Sequence, residues 1–471
     1  MKRDTEANEE PQKQVTLFKN QVILNPTISL INYISFNLYY LVIIFAYVSV
    51  DVLQPVLLSS KDYYNVTDLT TVNSTITVWD MLVKISLAPL YGFMCDRVGR
   101  RIVVFIGIIS MSAGILLLPF IGGGVVFPYY VFARALYANG AIACIVVPLL
   151  ADYVDYETKG RASSILVVLS GLGAVFSSSF CTSMTANISV GQRYIYLAAI
   201  VFFAGMLVGF GLKGGKYHKK LYYDAKAEQA RQELVGTSTH DSSHILQQNL
   251  LENDEQEDPK KKGFLYNLKT GIQQAQNPWI ALGYIVSFLS RGDTGILTYA
   301  LVIWSKHFYA SDDDSQKKGE TQAYILSGVA YTVLLCTALF FGFVGDRYSK
   351  FKSLMVIYVC TVIGLILLIF CKGPTDVMAF VSMAFIGIGV AGYSTFSLQL
   401  VNKYANTKFR GSVNAMSSLL GVIGLVAISI GGGYLQGVDI NAAFYMFMGF
   451  SALALIATSC LYIKSKVLQK L

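Results

Sequence analysis

Twelve apolar windows, each about the 20 residues an α-helix needs to cross a hydrocarbon core, constrain this chain more than any other feature. They run near 34–57, 75–95, 102–120, 126–151, 162–184 and 191–212, then 278–305, 323–345, 353–371, 375–401, 412–436 and 439–463. A bilayer offers no water to backbone N–H and C=O groups, so windows of this length read as spanning helices. Only 14% of the 471 residues are charged, against roughly 25% in soluble domains. The chain reads as an all-α, multi-pass membrane protein.

The windows fall into six and six. The divisions expected are an N-terminal tail at 1–33, a first six-helix bundle at 34–212, a polar linker at 213–277, a second bundle at 278–463 and a C-terminal tail at 464–471. The linker opens on Lys213, Lys216, Lys219 and Lys220, is helix-compatible from Tyr222 to Val235, and then turns Ser/Thr-rich and acidic, as a largely mobile connector would. No soluble catalytic domain fits beside these parts.

Basic residues orient the chain. Fourteen lie in loops on one side (Arg97, Arg100, Arg101, Lys159, Arg161, Arg347, Lys350, Lys352, Lys403, Lys408, Arg410, Lys464, Lys466 and Lys470) against six on the other. Both termini and the linker are therefore expected in the cytoplasm, in a plasma membrane or an endomembrane. Three N-x-S/T sequons, at Asn65, Asn73 and Asn187, fall on the opposite side and are glycosylation candidates.

Several chemistries are excluded. The N-terminus lacks the short apolar region and cleavage site of a signal peptide. None of the seven cysteines forms a CxxC pair, and the acidic loop beside His307 reads as solvated, so neither a metal nor any other cofactor is expected. Basic residues cluster between apolar runs rather than along one face, which leaves nucleic acid without support as a partner. No P-loop, HExxH or nucleophile motif is present, so the chain does not read as an enzyme or an ATP-driven pump.

One phrase occurs twice. Gly92-Phe-Met-Cys-Asp96-Arg97-Val-Gly99-Arg100-Arg101 follows the second window, and Gly342-Phe-Val-Gly-Asp346-Arg347-Tyr-Ser-Lys350 follows the eighth, an offset of 346 − 96 = 250. Arg161 and Arg410, each followed by small residues, repeat at 410 − 161 = 249. Two landmarks thus report one duplication. The phrase resembles the G-x-x-x-D-R-x-G-R-R loop of the major facilitator superfamily of secondary transporters, and the resemblance covers essentially the whole chain. It implies two pseudo-symmetric bundles that rock about a central site. It also implies a gate at the inner end, with Asp96 as latch and Asp346 as its weaker partner, Ser349 standing where glycine is expected. In any membrane protein Arg97, Arg100 and Arg101 would also serve as positive-inside anchors.

Ionisable side chains at membrane depth cost at least about 2.5–3.5 kcal/mol, which makes each a functional candidate. In the first window Asn37, Tyr40, Tyr47, Asp51 and Gln54 share one helical face, and in the second Thr77, Asp80, Lys84 and Tyr91 do. Arg134 follows Tyr130 by one turn in the fourth. Counted at about 1.5 Å per residue, Asp51, Lys84 and Arg134 occupy one layer. An acid in the first span opposite a base in the fourth resembles the proton-coupled members of the superfamily, although Ala138 replaces the usual first glycine in Arg134-Ala-Leu-Tyr-Ala-Asn-Gly140.

In the seventh window Tyr284, Ser287, Arg291, Thr294 and Thr298 form a stripe that turns Arg291 toward a cavity. Asp293 lies about 200° round an ideal helix, so it packs on another span or the helix loosens at Gly292 and Gly295. The polar residues of the tenth window, Ser394, Thr395, Ser397 and Gln399, read as bonded to their own backbone or to a neighbouring helix. With Lys84, Arg134 and Arg291 set against Asp51, and Asp80 and Asp293 left open in the count, the balance leans cationic and points to a small organic anion held by Arg291.

The expected function is proton-coupled secondary transport of such a solute by a monomer embedded in lipid. The alternatives are a transport-inactive sensor or structural subunit with the same fold, and a drug/proton antiporter. The P-E-S-P-R phrase of sugar porters is absent after the sixth window.

Overall fold

The computed structural model describes residues 16–17, 22–25, 28–97, 99–121, 123–141, 149–150, 153–155, 158–184, 188–213, 264–309, 313–404 and 410–468. Two short strands, β1 (Thr16–Leu17) and β2 (Val22–Ile23), pair antiparallel with Thr16 opposite Ile23. The first half then runs through α1 (Leu30–Ser59), α2 (Leu69–Arg97), α3 (Arg100–Leu117), α4 (Val131–Ala141), α5 (Lys159–Met184) and α6 (Val190–Gly211). The second half opens with α7 (Phe264–Gln274) and α8 (Pro278–Gly295), which passes through a π-helical turn at Ile296–Ala300 into α9 (Leu301–His307). It continues with α10 (Asp313–Arg347), α11 (Lys350–Phe370), α12 (Val377–Tyr404) and α13 (Arg410–Ala427). A second such turn, Ile428–Gly432, leads to α14 (Gly433–Gln436), and α15 (Ala442–Leu468) closes the chain.

Nine helices among the described residues are long and apolar enough to cross a membrane. The other three windows also carry helix, in α2, in α4 and in α8–α9. Large side chains on the outer faces, among them Phe203, Leu207 and Phe370, are exposed, as suits helices that are apolar all round and bathed by lipid chains. Helices approach closely at glycine: a Cβ on Gly173 of α5 would stand 2.8 Å from the Leu41 carbonyl oxygen of α1. The two halves meet along α5 and α10, where a Cβ on Gly171 would lie 2.6 Å from Leu334 Cδ2.

Several boundaries differ from the hydropathy reading. Residues before 33 are not all tail: Val22, Leu24 and Ile28 are buried, and Leu24 bridges Val154. Asn25 N–H donates to Tyr153 O at 3.0 Å and Asp155 N–H to Ile23 O at 2.9 Å. The segment is too short to show a period. Helix α1 begins at Leu30 because Ser29 and Asn32 form a capping box, a local hydrogen-bond device that hydropathy does not sense. The fourth span starts as helix only at Val131, since Phe127 is extended.

The last part of the expected linker is also folded. Helix α7 seats Gly271 on α13, where a Cβ would lie 2.7 Å from Ser412 O, and the Tyr284 hydroxyl donates to Gly271 O at 2.8 Å. The helix-compatible stretch 222–235 lies outside the described residues.

Candidate transport site between the bundles

Four charged side chains meet inside the first bundle. Lys84 Nζ donates to Asp80 Oδ2 at 2.7 Å, one helical turn away, and to the Tyr47 hydroxyl at 2.9 Å. Arg134 donates through one guanidinium nitrogen to Asp51 Oδ1, and that nitrogen lies 3.6 Å from Asp80 Oδ2. Its guanidinium also stands 4.6 Å from the centre of the Tyr137 ring. Gln54 continues the layer, donating to Asn73 Oδ1 at 2.7 Å. Arg134 and Asp80 are fully buried. Two cations and two carboxylates in contact keep each charge compensated, the condition under which charges persist in a low-dielectric interior.

Helical spacing placed Asp51, Lys84 and Arg134 in one layer, and the structure joins them. Asp80 belongs to the same set although it was left out of the expected site; its spacing of four from Lys84 was the available signal. The charge balance changes with it. The network is neutral within the first bundle, so the expected cationic excess is corrected there: Lys84 and Arg134 are matched by Asp80 and Asp51.

A cavity of about 160 Å³ lies between the bundles, lined by α1, α5, α8, α10, α12 and α13. Arg291 is exposed within it, whereas Asp293, also on its wall, is 1% exposed. The helix does loosen here, since the π-helical turn begins immediately after Gly295. Hydroxyls make up much of the polar wall. Ser287 Oγ lies 2.7 Å from Ser397 Oγ and 2.6 Å from Ser417 Oγ, and Ser290, Ser394 and Ser418 line the same space. Ser394 and Ser397 line the cavity, and Ser397 is at the same time bonded to Ser287 of the neighbouring α8, as the reading of the tenth span expects. A smaller cavity touches Asp51, Asp80 and Arg134 on one side and Thr298 and Tyr299 on the other. Thr294 borders both cavities, so it stands between the charge network and Arg291.

The cavity is closed at one end. Lys306 Nζ donates to Ser59 Oγ across the bundle interface at 3.0 Å and to Glu320 Oε1 at 3.1 Å. Thr75 and Tyr434 hydroxyls meet at 3.0 Å, and Gly433 packs on Ser74. These contacts join α1 to α9 and α2 to α14 at the end away from both chain termini. The lining residues sit toward the other end, seven residues inside it for Ser397 (404 − 397) and thirteen for Leu334 (347 − 334).

The repeated phrase falls where each bundle turns between helices. Gly92, Asp96 and Arg97 end α2, and the side chains of Asp96, Arg97, Arg161, Asp346 and Arg410 lie outside what the structure describes. Gly99 has φ +104°, a conformation that costs an L-residue heavily, whereas Ser349, its counterpart in the second copy, has φ −63°. Serine is tolerated there because the second turn needs no left-handed residue. Arg100 and Arg101 open α3, with the Arg101 guanidinium 5.8 Å from the Phe105 ring centre; Arg347 stands 5.6 Å over Phe343, and Gly342 is buried. Gly99→Ala is expected to destabilise the protein by about 1–3 kcal/mol and Ser349→Ala by less, a difference that thermal melting in detergent would show.

The sequons differ in fate. Asn65 is exposed with φ +48°. Asn73 is buried inside α2, its Oδ1 taken by Gln54, so a glycan at this position does not fit the structure. Asn187 lies outside the described residues.

A family model described as Major Facilitator Superfamily matches residues 39–424, and again 283–470. The chain belongs to the major facilitator superfamily. The magnetosome protein MamH of Paramagnetospirillum magneticum is 21% identical over 371 residues, 77% of each chain. An inorganic phosphate transporter, 1-6, of Oryza sativa is 32% identical over 137 residues, about a quarter of each chain (26% and 25%). The inward open conformation of the xylose transporter XylE from E. coli superposes with a TM-score of 0.63 at 13% identity, covering 91% of this chain and 94% of that one. A D-xylose-proton symporter gives the same TM-score at 14% identity. The superfamily fold and the integral, multi-pass membrane setting follow. The family and the fold are those of secondary transporters, not enzymes.

Proposed function

We propose that this protein is a proton-coupled carrier of a small organic anion that works by rocking its two bundles about the cavity at Arg291. The single observation that carries the reading is the difference in exposure between the two charges on that wall, with Arg291 open to the cavity and Asp293 buried. A guanidinium offers paired hydrogen bonds to carboxylate or phosphate, and the surrounding serines supply further donors. Relatives that match part of the chain are named for phosphate and for glucose, so the charge in the cavity, rather than kinship, favours the anion.

Coupling is assigned to the Asp51–Arg134 pair. When Asp51 is ionised it holds Arg134; when it takes a proton Arg134 is left to Asp80, and the first bundle gains a charge at the level of Thr294. Such a change alters how the bundles close over a solute. One proton then moves through the membrane with each cycle, which ties the bundle equilibrium to the proton gradient. With both termini in the cytoplasm, the closed end faces outward and the cavity inward. The repeated Asp96 and Asp346 phrases serve as the gate that must re-form at the inner end.

Reconstituted vesicles with an imposed pH gradient test this reading. The wild-type protein is expected to accumulate a small anion and Asp51→Asn only to equilibrate or exchange it. Faster uptake of cations than of anions would overturn the substrate class, and equal accumulation by Asp51→Asn would overturn the coupling role.

A further inference from the structure

The wall that presents Arg291 also holds a carboxyl group for which this transport scheme has no use. Asp293 is 1% exposed; its Oδ1 lies 3.3 Å from the Thr294 hydroxyl, and Oδ2 has no hydrogen-bond partner. No cation stands within ion-pairing distance of it among the described residues.

The groups that face it are few. Arg291 lies two residues back on the same helix and Tyr299 in the turn beyond. Tyr331 lines the same cavity from α10, and α12 carries Tyr393. Helix α13 carries no ionisable residue between Arg410 and its end at Ala427, and those of α15 are Tyr445, Cys460, Tyr462, Lys464 and Lys466. Across Thr294 lies the Asp51 network, whose charges are already matched.

An ionised carboxylate in this place would be desolvated without a counter-charge, an expensive arrangement. It would also repel an anion arriving at Arg291. Both difficulties vanish when a proton sits on Oδ2, which then has an O–H to donate. We infer that Asp293 is a proton-binding site that works as a unit with Arg291, so that the cavity takes up an anion together with one proton drawn from the water at its open end. The inference rests on the anion reading above. It differs from that reading in placing a proton beside the substrate itself, in the second bundle, independent of Asp51. Anion and proton then raise each other's affinity by the same factor, as linkage requires.

Two measurements on the full-length protein in detergent test it. The first needs no ligand. The infrared C=O band of a protonated carboxyl is expected near neutral pH in the wild type and in Asp51→Asn, and to be lost in Asp293→Asn; a spectrum unchanged by Asp293→Asn overturns the inference.

The second measures binding of lactate and of sulfate, whose charges are constant between about pH 6 and pH 8, far above their own ionisation. Through the range where Asp293 loses its proton, wild-type affinity is expected to fall by about tenfold per pH unit. Measured in the Asp51→Asn background, Asp293→Glu should keep that slope and Asp293→Asn should lose it. A slope that survives in Asp293→Asn overturns joint uptake. If the wild type binds neither probe while it binds neutral or cationic solutes, the anion reading fails, and the infrared band still decides whether Asp293 holds a proton.

Discussion

Arg134→Met is expected to abolish gradient-driven accumulation and to destabilise the protein by about 3–5 kcal/mol, the usual result of removing one partner from a buried ion pair. Arg134 is 2% exposed and touches both Asp51 and Asp80. Without it, two carboxylates would share Lys84 alone, and methionine would fill the volume of the stem without supplying a charge. The same argument predicts partial rescue. Adding Asp51→Asn to Arg134→Met removes the surplus carboxylate and leaves Asp80 paired with Lys84 at 2.7 Å. The double variant should therefore melt above the single one while remaining unable to accumulate solute. A double variant as unstable as the single would mean that Arg134 acts through its packing on Tyr137 rather than through charge.

Much of this network was legible in the sequence because a helix converts spacing into direction. Residues 47, 51 and 54 fall on one face whatever surrounds them, and a charge inside a twenty-residue apolar run has few places to go. Asp80 was harder to place, since the same face argument serves a lone acid and a paired one; only the contact with Arg134 shows that it balances the set. Asp293 was ambiguous for a different reason. Ideal helical geometry turns it away from Arg291, and the π-helical turn that begins beyond Gly295, where the helix packs on α1 of the other bundle, is a feature that single-chain periodicity does not contain.

The repeated phrase located two turns correctly, while the reason for Ser349 in place of glycine, a backbone of ordinary φ, required coordinates. Val22, Leu24 and Ile28 were invisible for want of length: the segment that carries them is held by hydrogen bonds from Asn25 to Tyr153 (153 − 25 = 128) and from Asp155 to Ile23 (155 − 23 = 132), partners remote in sequence. Asn73 matched a sequon by three letters, but its hydrogen bond with Gln54 belongs to the tertiary fold.

Gly433→Trp is expected to stop turnover, reducing transport by at least about tenfold, a change that needs only about 1.4 kcal/mol of bias between the two bundle arrangements. Gly433 opens α14 at the closed end of the cavity, and any side chain there meets Ser74 of the opposite bundle, with the Thr70 carbonyl 3.6 Å from the position of its Cβ. An indole cannot fit, so it would hold the bundles apart and keep the contacts between Lys306 and Ser59 and between Thr75 and Tyr434 from forming. The wedge should favour the arrangement in which this end is open. A cysteine at Thr298, beneath the seal, reports on it in a background lacking the native cysteines. It should resist an impermeant thiol reagent applied from the closed face in the unwedged protein and react in the Gly433→Trp variant. Gly449→Trp is the control, because nothing lies within 4 Å of an added Cβ there. Normal transport and continued protection of the Thr298 cysteine would show that α2 and α14 separate without regard to Gly433, and the seal would then have to reside at Lys306.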